Sequence, residues 1–123
     1  MFTGRELDVM AVLWGHGAST VAEVRSRLGV PLAYTTVLTV LRTLEAKGHI
    51  GHESDGKAHR YTSRVARDEA GRSALGRIVE KIFGGSRELL LTQLVDGNGI
   101  DDAELKRLRK VLTERLKEAG ESR

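Results

Sequence analysis

A mostly α-helical chain with one small β-hairpin, ordered as three helices, the hairpin and three more helices, is the fold class predicted by this 123-residue sequence. Three observations predict it. Apolar residues recur at helical spacing in successive stretches that end at glycines. A single stretch, His49 to Thr62, instead holds two short segments able to extend around a glycine turn. Beyond it the chain changes character, its apolar positions forming narrow stripes in a field of Lys, Arg and Glu. A boundary near Ser63 to Arg67 therefore divides the chain into residues 1–66, built as a winged helix-turn-helix, and residues 67–123, a helical dimerisation region.

Each element has its own signals. Thr3 and Glu6 have the form of a capping box, and Leu7, Met10, Ala11 and Trp14 then recur at helical spacing until Gly15 and Gly17. Ser19 and Thr20 open a second, short helix, with Thr20 and Glu23 suited to mutual capping, a Val21, Val24, Leu28 stripe and a stop at Gly29. Pro31 suits the entry to a third helix, about Leu32 to Lys47, whose Val37, Val40, Leu41 and Leu44 supply a buried stripe. Residues 49–53 and 58–62 can each be extended, and Ser54-Asp55-Gly56-Lys57 is a turn with Gly where positive φ is needed. From Arg67 to Phe83 a fourth helix carries Leu75, Ile78, Val79, Ile82 and Phe83, and Gly84-Gly85 breaks it. Ser86 caps a fifth helix holding Leu89, Leu90, Leu91, Leu94 and Val95, followed by the turn cluster Asp96-Gly97-Asn98-Gly99. Asp101 and Glu104 open a sixth, with Leu105, Leu108, Leu112 and Leu116 in a narrow row.

Composition removes several function classes. With no cysteine, disulfides, thiolate metal sensing and cysteine nucleophiles are excluded. No stretch has signal-peptide form or membrane-span length, so a cytoplasmic protein without membrane insertion is expected. The formal net charge of +3 favours an anionic partner only mildly. No nucleophile, base and acid stand in a recognisable arrangement, and no glycine-rich phosphate loop is present, so neither enzymatic activity nor a cofactor is expected. His49, His52 and His59 lie close in sequence, but positions 49 and 52 would point to opposite faces of a strand and no full ligand set accompanies them; no metal is expected. His16 suits the negative end of the first helix.

Three helices and a hairpin are the winged variant of the helix-turn-helix, whose last helix enters the major groove while the hairpin lies along the DNA backbone. The outward face of helix three sharpens this reading. Thr35, Thr36, Thr39, Arg42 and Thr43 form a polar stripe opposite the valines and leucines. Threonine is a poor helix former, and an ordinary solvated face would use Glu, Lys, Gln or Ala. In a groove, threonine hydroxyls can reach phosphates or base edges and their methyls the thymine methyl, and Arg42 can reach guanine or phosphate. The alternative is that the hydroxyls bond back to the preceding turn. Ala33 and Tyr34 begin the same helix, with Tyr34 placed to pack on sugar; Lys57 at the hairpin tip and His59 and Arg60 on the returning strand are placed to meet phosphates. The leucine rows of helices four to six expose more apolar surface than short helices can bury alone, so a two-fold dimer is expected.

The run Leu32-Ala33-Tyr34-Thr35-Thr36-Val37-Leu38-Thr39-Val40-Leu41-Arg42-Thr43-Leu44-Glu45-Ala46-Lys47-Gly48, with Ala58-His59-Arg60-Tyr61 and Phe83-Gly84-Gly85-Ser86, resembles the penicillinase-repressor (BlaI/MecI) family. Residues 6–10 and Leu13-Trp14 fit that family's first helix. The resemblance implies a homodimeric repressor on a dyad operator in double-stranded DNA, with Thr36, Thr39 and the basic wing residues at the DNA. In one branch a membrane sensor triggers cleavage at an Asn-Phe pair near the fifth helix; this chain carries Leu91-Thr92-Gln93-Leu94 there. A copper-responsive branch uses C-terminal cysteines, absent here. Two other readings stand beside repression: a winged-helix regulator released by a small molecule held between the C-terminal helices, and a protein-docking module that does not bind DNA.

Overall fold

A computed structural model describes residues 2–97 and 99–121. Among them the order is α1 (Gly4–His16), α2 (Val21–Arg27), α3 (Tyr34–Ala46), β1 (Ile50–Asp55), β2 (Ala58–Ser63), α4 (Arg67–Lys81), α5 (Arg87–Val95) and α6 (Asp102–Glu121). This is the winged-helix order expected from the sequence, continued by three helices. Two compact units divide the chain, Met1–Leu75 and Gly76–Arg123, so that α4 contributes to both.

Local chemistry sets the helix starts. The Thr3 hydroxyl accepts from the Glu6 N–H and the Glu6 carboxylate from the Thr3 N–H; Thr20 and Glu23 form the same reciprocal box for α2. Ser86 caps α5 through the Leu89 N–H at 3.1 Å, and Asp101 accepts from the Glu104 N–H at 2.8 Å ahead of α6. Helix α1 runs through Gly15 and stops at Gly17, whose φ of 80° needs no Cβ to be accommodated. Several boundaries differ from the sequence expectation: α4 ends at Lys81 rather than Phe83, and the strands, expected over 49–53 and 58–62, run Ile50–Asp55 and Ala58–Ser63 because pairing continues up to Gly56-Lys57. Helix α3 starts at Tyr34, leaving Pro31 and Leu32 in the connecting loop, and α2 ends as Leu28 turns extended, before Gly29 is reached.

The first unit holds a continuous core. Val9, Met10, Val12 and Leu13 of α1, Val21 and Val24 of α2, and Val37, Leu41 and Leu44 of α3 enclose Ile50 and Tyr61 from the hairpin. The buried face of α1 is therefore rotated from the Leu7, Met10, Ala11, Trp14 stripe. Leu7 and Ala11 are exposed, while Glu6, in the same buried row as Val9, Met10 and Leu13, pairs with Lys47 at the end of α3 (Nζ to Oε2, 2.8 Å). Trp14 is half-buried and donates its indole N–H to the Val65 carbonyl at 2.8 Å, with the Arg67 guanidinium 6.0 Å from its ring centre.

The wing is a two-residue hairpin. Pairing runs from Ile50 opposite Ser63 to Asp55 opposite Ala58, leaving Gly56 and Lys57 as the loop. Gly56 alone of the two has positive φ (65°), the pattern of a II′ turn, which matches the twist of the flanking strands. Ser19, fully buried, adds a short bridge to the second strand: its N–H donates to the Tyr61 carbonyl at 3.0 Å and its carbonyl accepts from the Tyr61 N–H at 2.8 Å. The wing is thus anchored at its base to the start of α2.

The second unit contrasts with the first. Val79 is buried, but α5 and α6 contain no buried residue, and Ile82, Leu94, Leu112 and Leu116 are half or more exposed, or nearly so. The turn before α6 follows the expected glycine cluster, of which Asn98 lies outside the described residues.

Candidate nucleic-acid interface

Helix α3 buries Val37, Leu41 and Leu44 completely, which turns Thr35, Thr39 and Thr43 outward at intervals of four residues. Thr36 lies to one side of this row. Arg42 lies to the other, toward the wing, and all five side chains are exposed. The hydroxyl of Thr39 donates to the Thr35 carbonyl at 2.9 Å, so that part of the back-bonding alternative holds for this residue. Thr92 and Thr113 do the same on α5 and α6, which makes the habit a property of helical threonine. A back-bonded Thr39 still offers its oxygen lone pairs as acceptors and its methyl as an apolar contact.

The start of α3 differs from the other helix starts described above. Its N-cap is Ala33 and no side chain accepts its first N–H groups, nor does an acidic residue stand in its first turn. The exposed backbone donors therefore meet solvent or an anion at the positive end of the helix. Tyr34, 48% exposed, stands at this opening.

A groove of about 510 Å³ runs between α3, the start of α2 and the wing. Tyr34, Leu38, Arg42 and Glu45 line one wall, recurring at helical spacing; His52, Lys57, His59 and Tyr61 line the other. Glu45 pairs across the groove with His52 (Oε2 to Nδ1, 2.5 Å), and the His52 ring stands edge-on to His59 with centres 4.4 Å apart. Burial, with the nearby Glu45 carboxylate, raises the Tyr61 pKa above its usual value, keeping the phenol neutral against the groove. His49 is elsewhere, against Phe2 at 4.5 Å and outside the strand, so the three histidines do not converge.

The basic wing residues separate. His59 and Tyr61 face the groove, whereas Arg60, between them on β2, takes the opposite face with Glu53 and Thr62 beside Ala18. There its guanidinium donates to Glu23 Oε1 at 2.9 Å. Lys57 is exposed at the tip. Tyr34, Thr35, Thr36, Thr39, Arg42 and Thr43 thus share one helix, with Ala33 at its N-cap and the groove beside it, Lys57 and His59 border that groove, and Arg60 does not. Glu23 and Glu45 were not singled out from sequence as wing partners. Glu23 already had a role in the capping box, and the recurrence of positions 34, 38, 42 and 45 was the available sign of a second working face.

The expected dimerisation residues other than Val79 keep substantial exposure: Leu75 and Ile78 on α4, Ile82 just after it, Leu91 and Leu94 on α5, and Leu105, Leu112 and Leu116 on α6 range from 38% to 74%. Phe83, Leu90 and Leu108 are partly buried. Among the described residues no helix is long and apolar enough to cross a membrane, and no cluster of three or more His, Cys, Asp or Glu forms a metal site.

Residues 2–114 match the model of the penicillinase repressor family. The chain is 36% identical over 116 residues to the transcriptional regulator BlaI of Mycobacterium tuberculosis, covering 89% of this chain and 80% of that protein. It is 22% identical over 111 residues to a penicillinase repressor of Bacillus licheniformis, covering 89% and 87%. Among solved structures, a MarR family protein from Bacillus stearothermophilus matches with a TM-score of 0.53 at 19% identity, over 97% of this chain and 76% of that one. A transcriptional regulator from Thermotoga maritima matches with a TM-score of 0.50 at 22% identity, over 98% and 77%. These two share the fold.

Proposed function

The chain belongs to the penicillinase repressor family, and from that premise we propose that it represses transcription by binding, as a homodimer, to a dyad operator in double-stranded DNA. The observation that carries the reading is the exposed row Thr35, Thr39, Thr43 with Arg42 on α3, opposite a fully buried apolar face. Residues that weaken a helix are tolerated where their side chains have work outside it. In the major groove this row reads base edges, the uncapped start of α3 with Ala33, Tyr34 and Thr36 meets phosphate, and Lys57 and His59 follow the adjoining backbone. Repression follows from occupancy, with no chemical step.

The unburied leucines of α4 to α6 support the homodimer. A second copy covering them would bring two α3 helices to half-sites about 34–36 Å apart, or a multiple of that. The dimer in turn supports the dyad operator. A small-molecule or proteolytic release has no comparable support in these residues, and a membrane sensor protease stays a proposal resting on family membership.

The test is titration of a duplex carrying the protein's own upstream region against Arg42→Ala and Thr39→Ala. Both variants should lose specific retention, Arg42→Ala by about 5- to 150-fold, a loss of about 1–3 kcal/mol. Unchanged affinity in both would remove α3 as the reading element.

A further inference from the structure

We propose that Arg60 is a positioning residue for DNA reading: it clamps the wing to the first turn of α2 and leaves the phosphate contacts of the wing to Lys57 and His59. The proposal rests on the DNA-binding function above. Sequence position alone places Arg60 with its basic neighbours, but strand alternation puts it on the other face of the hairpin, away from the groove beside α3. On that face its register partner across the hairpin is Glu53, and the Glu23 carboxylate accepts from its guanidinium at 2.9 Å. A guanidinium paired with Glu23, on a strand face that also carries Glu53, stands in an unfavourable place for a phosphate.

Glu23 is itself held. Its Oε1 accepts from the Thr20 N–H at 3.0 Å, the Thr20 hydroxyl accepts from the Glu23 N–H at 3.2 Å, and Arg27 approaches Oε2 at 3.5 Å. Arg27 also donates to the hydroxyl of buried Ser19, whose backbone bridges Tyr61 next to Arg60. The Thr20 backbone and side-chain hydrogen bonds, with the Arg60 and Arg27 charges after them, lower the Glu23 pKa from its ordinary value. The start of α2 and strand β2 are therefore joined twice, by backbone pairing at Ser19 and Tyr61 and by the ion pair at Glu23 and Arg60. On the opposite face of the hairpin, Glu45 of α3 holds His52. Each face of the wing thus carries a basic side chain gripped by an acidic one from the helices. The grip fixes the angle at which Lys57 and His59 meet the backbone, and binding is sensitive to such placement even where the side chain itself touches no DNA.

The full-length chain, titrated with the duplex carrying its own upstream region over a series of KCl concentrations, separates positioning from contact. A phosphate contact contributes about 0.9 to the slope of log K against log salt. Lys57→Ala should flatten the slope by about that amount. Arg60→Gln should weaken binding, by about tenfold if the clamp has the coupling typical of neighbouring charged groups, with the slope unchanged. Glu23→Gln keeps the capping box, since glutamine serves at that position, and removes only the charge. It should weaken binding in the same direction as Arg60→Gln, and the double variant should bind no worse than Arg60→Gln alone. The proposal is overturned if Arg60→Gln flattens the slope as Lys57→Ala does, or if Glu23→Gln tightens binding by freeing an arginine for phosphate. Should Arg60→Gln unfold, as thermal melting would reveal, the sign of the Glu23→Gln effect decides alone. Failure of the underlying function looks different: the unaltered chain would then bind without preference for that duplex, and the proposal would fall with it.

Discussion

Glu6 is 3% exposed, and a carboxylate so placed must be satisfied or it destabilises the fold. Its Oε1 accepts from the Thr3 N–H at 2.8 Å and from Lys47 at 3.1 Å, and its Oε2 accepts from Lys47 at 2.8 Å. The Lys47 hydrogen bond is the largest cause that lowers the Glu6 pKa, followed by the Thr3 backbone bond, with burial opposing both. Because the folded pKa lies below the ordinary value of 4.5, the contribution to stability is fully present above about pH 4.5 and is lost as pH falls through the folded value. Glu6→Gln preserves the capping box but removes the charge. It should cost about 1–3 kcal/mol at pH 7 and flatten the dependence of stability on pH below 4.5, as read by urea unfolding across that range. A variant with the full acid sensitivity of the parent chain would show that another carboxylate governs it. Lys47→Met, which leaves the carboxylate buried with only its Thr3 partner, should destabilise at neutral pH by a similar amount, and less so in acid.

Helix α3 carries two demands on its thirteen residues, and they conflict. Alanine exceeds threonine in helix propensity by roughly 0.5 kcal/mol, so Thr39→Ala should stabilise the winged unit by a few tenths of a kcal/mol while it weakens operator binding. Urea unfolding and duplex titration of one preparation should move in opposite directions; a fall in both would mean that the Thr39 hydroxyl bond to Thr35 supports the fold. In the wing, Gly56 has φ of 65° with open space where a Cβ would stand, so Gly56→Ala should cost about 1 kcal/mol through the backbone alone. Features of this local kind were legible in the sequence: both capping boxes, the Ser86 and Asp101 starts, the hairpin turn and the threonine row all depend on residues within a few positions of one another. What was not legible depends on distant partners. The helical spacing of Leu7, Met10, Ala11 and Trp14 marks α1 but does not say which face packs; Leu7 is exposed, because the packing of α2, α3 and the hairpin selects the face of α1 that carries Val9 and Leu13. Arg60 was grouped with His59, because basic character can be read from composition while the acidic partner Glu23 lies 37 positions away.

At the scale of the whole molecule the two units stand in different physical positions. The winged unit closes its own core around Met10, Leu41, Leu44 and Ile50, each fully buried, and can remain folded when the rest is disturbed. The helices of the second unit leave Ile82, Leu94, Leu112 and Leu116 between 49% and 74% exposed, and at about 25 cal/mol per Å² such apolar surface favours association. If a second copy covers this surface, as proposed, linkage between folding and association should make the melting temperature rise with protein concentration. Replacing Leu112 by Glu places a charge within the leucine row of α6. The variant should sediment as a monomer, lose the concentration dependence of melting, and retain the winged unit with Trp14 still donating to Val65, so that indole fluorescence stays native. Binding to a single half-site should change little while binding to the complete operator falls by 10-fold or more, because the second half-site is no longer engaged at the high effective concentration of a linked pair, an avidity worth about 10²–10⁴. A monomeric variant that keeps full operator affinity would show that one winged unit suffices for DNA binding, and a parent chain that sediments as a monomer at the same concentrations would show that its exposed leucine rows are not a dimer interface.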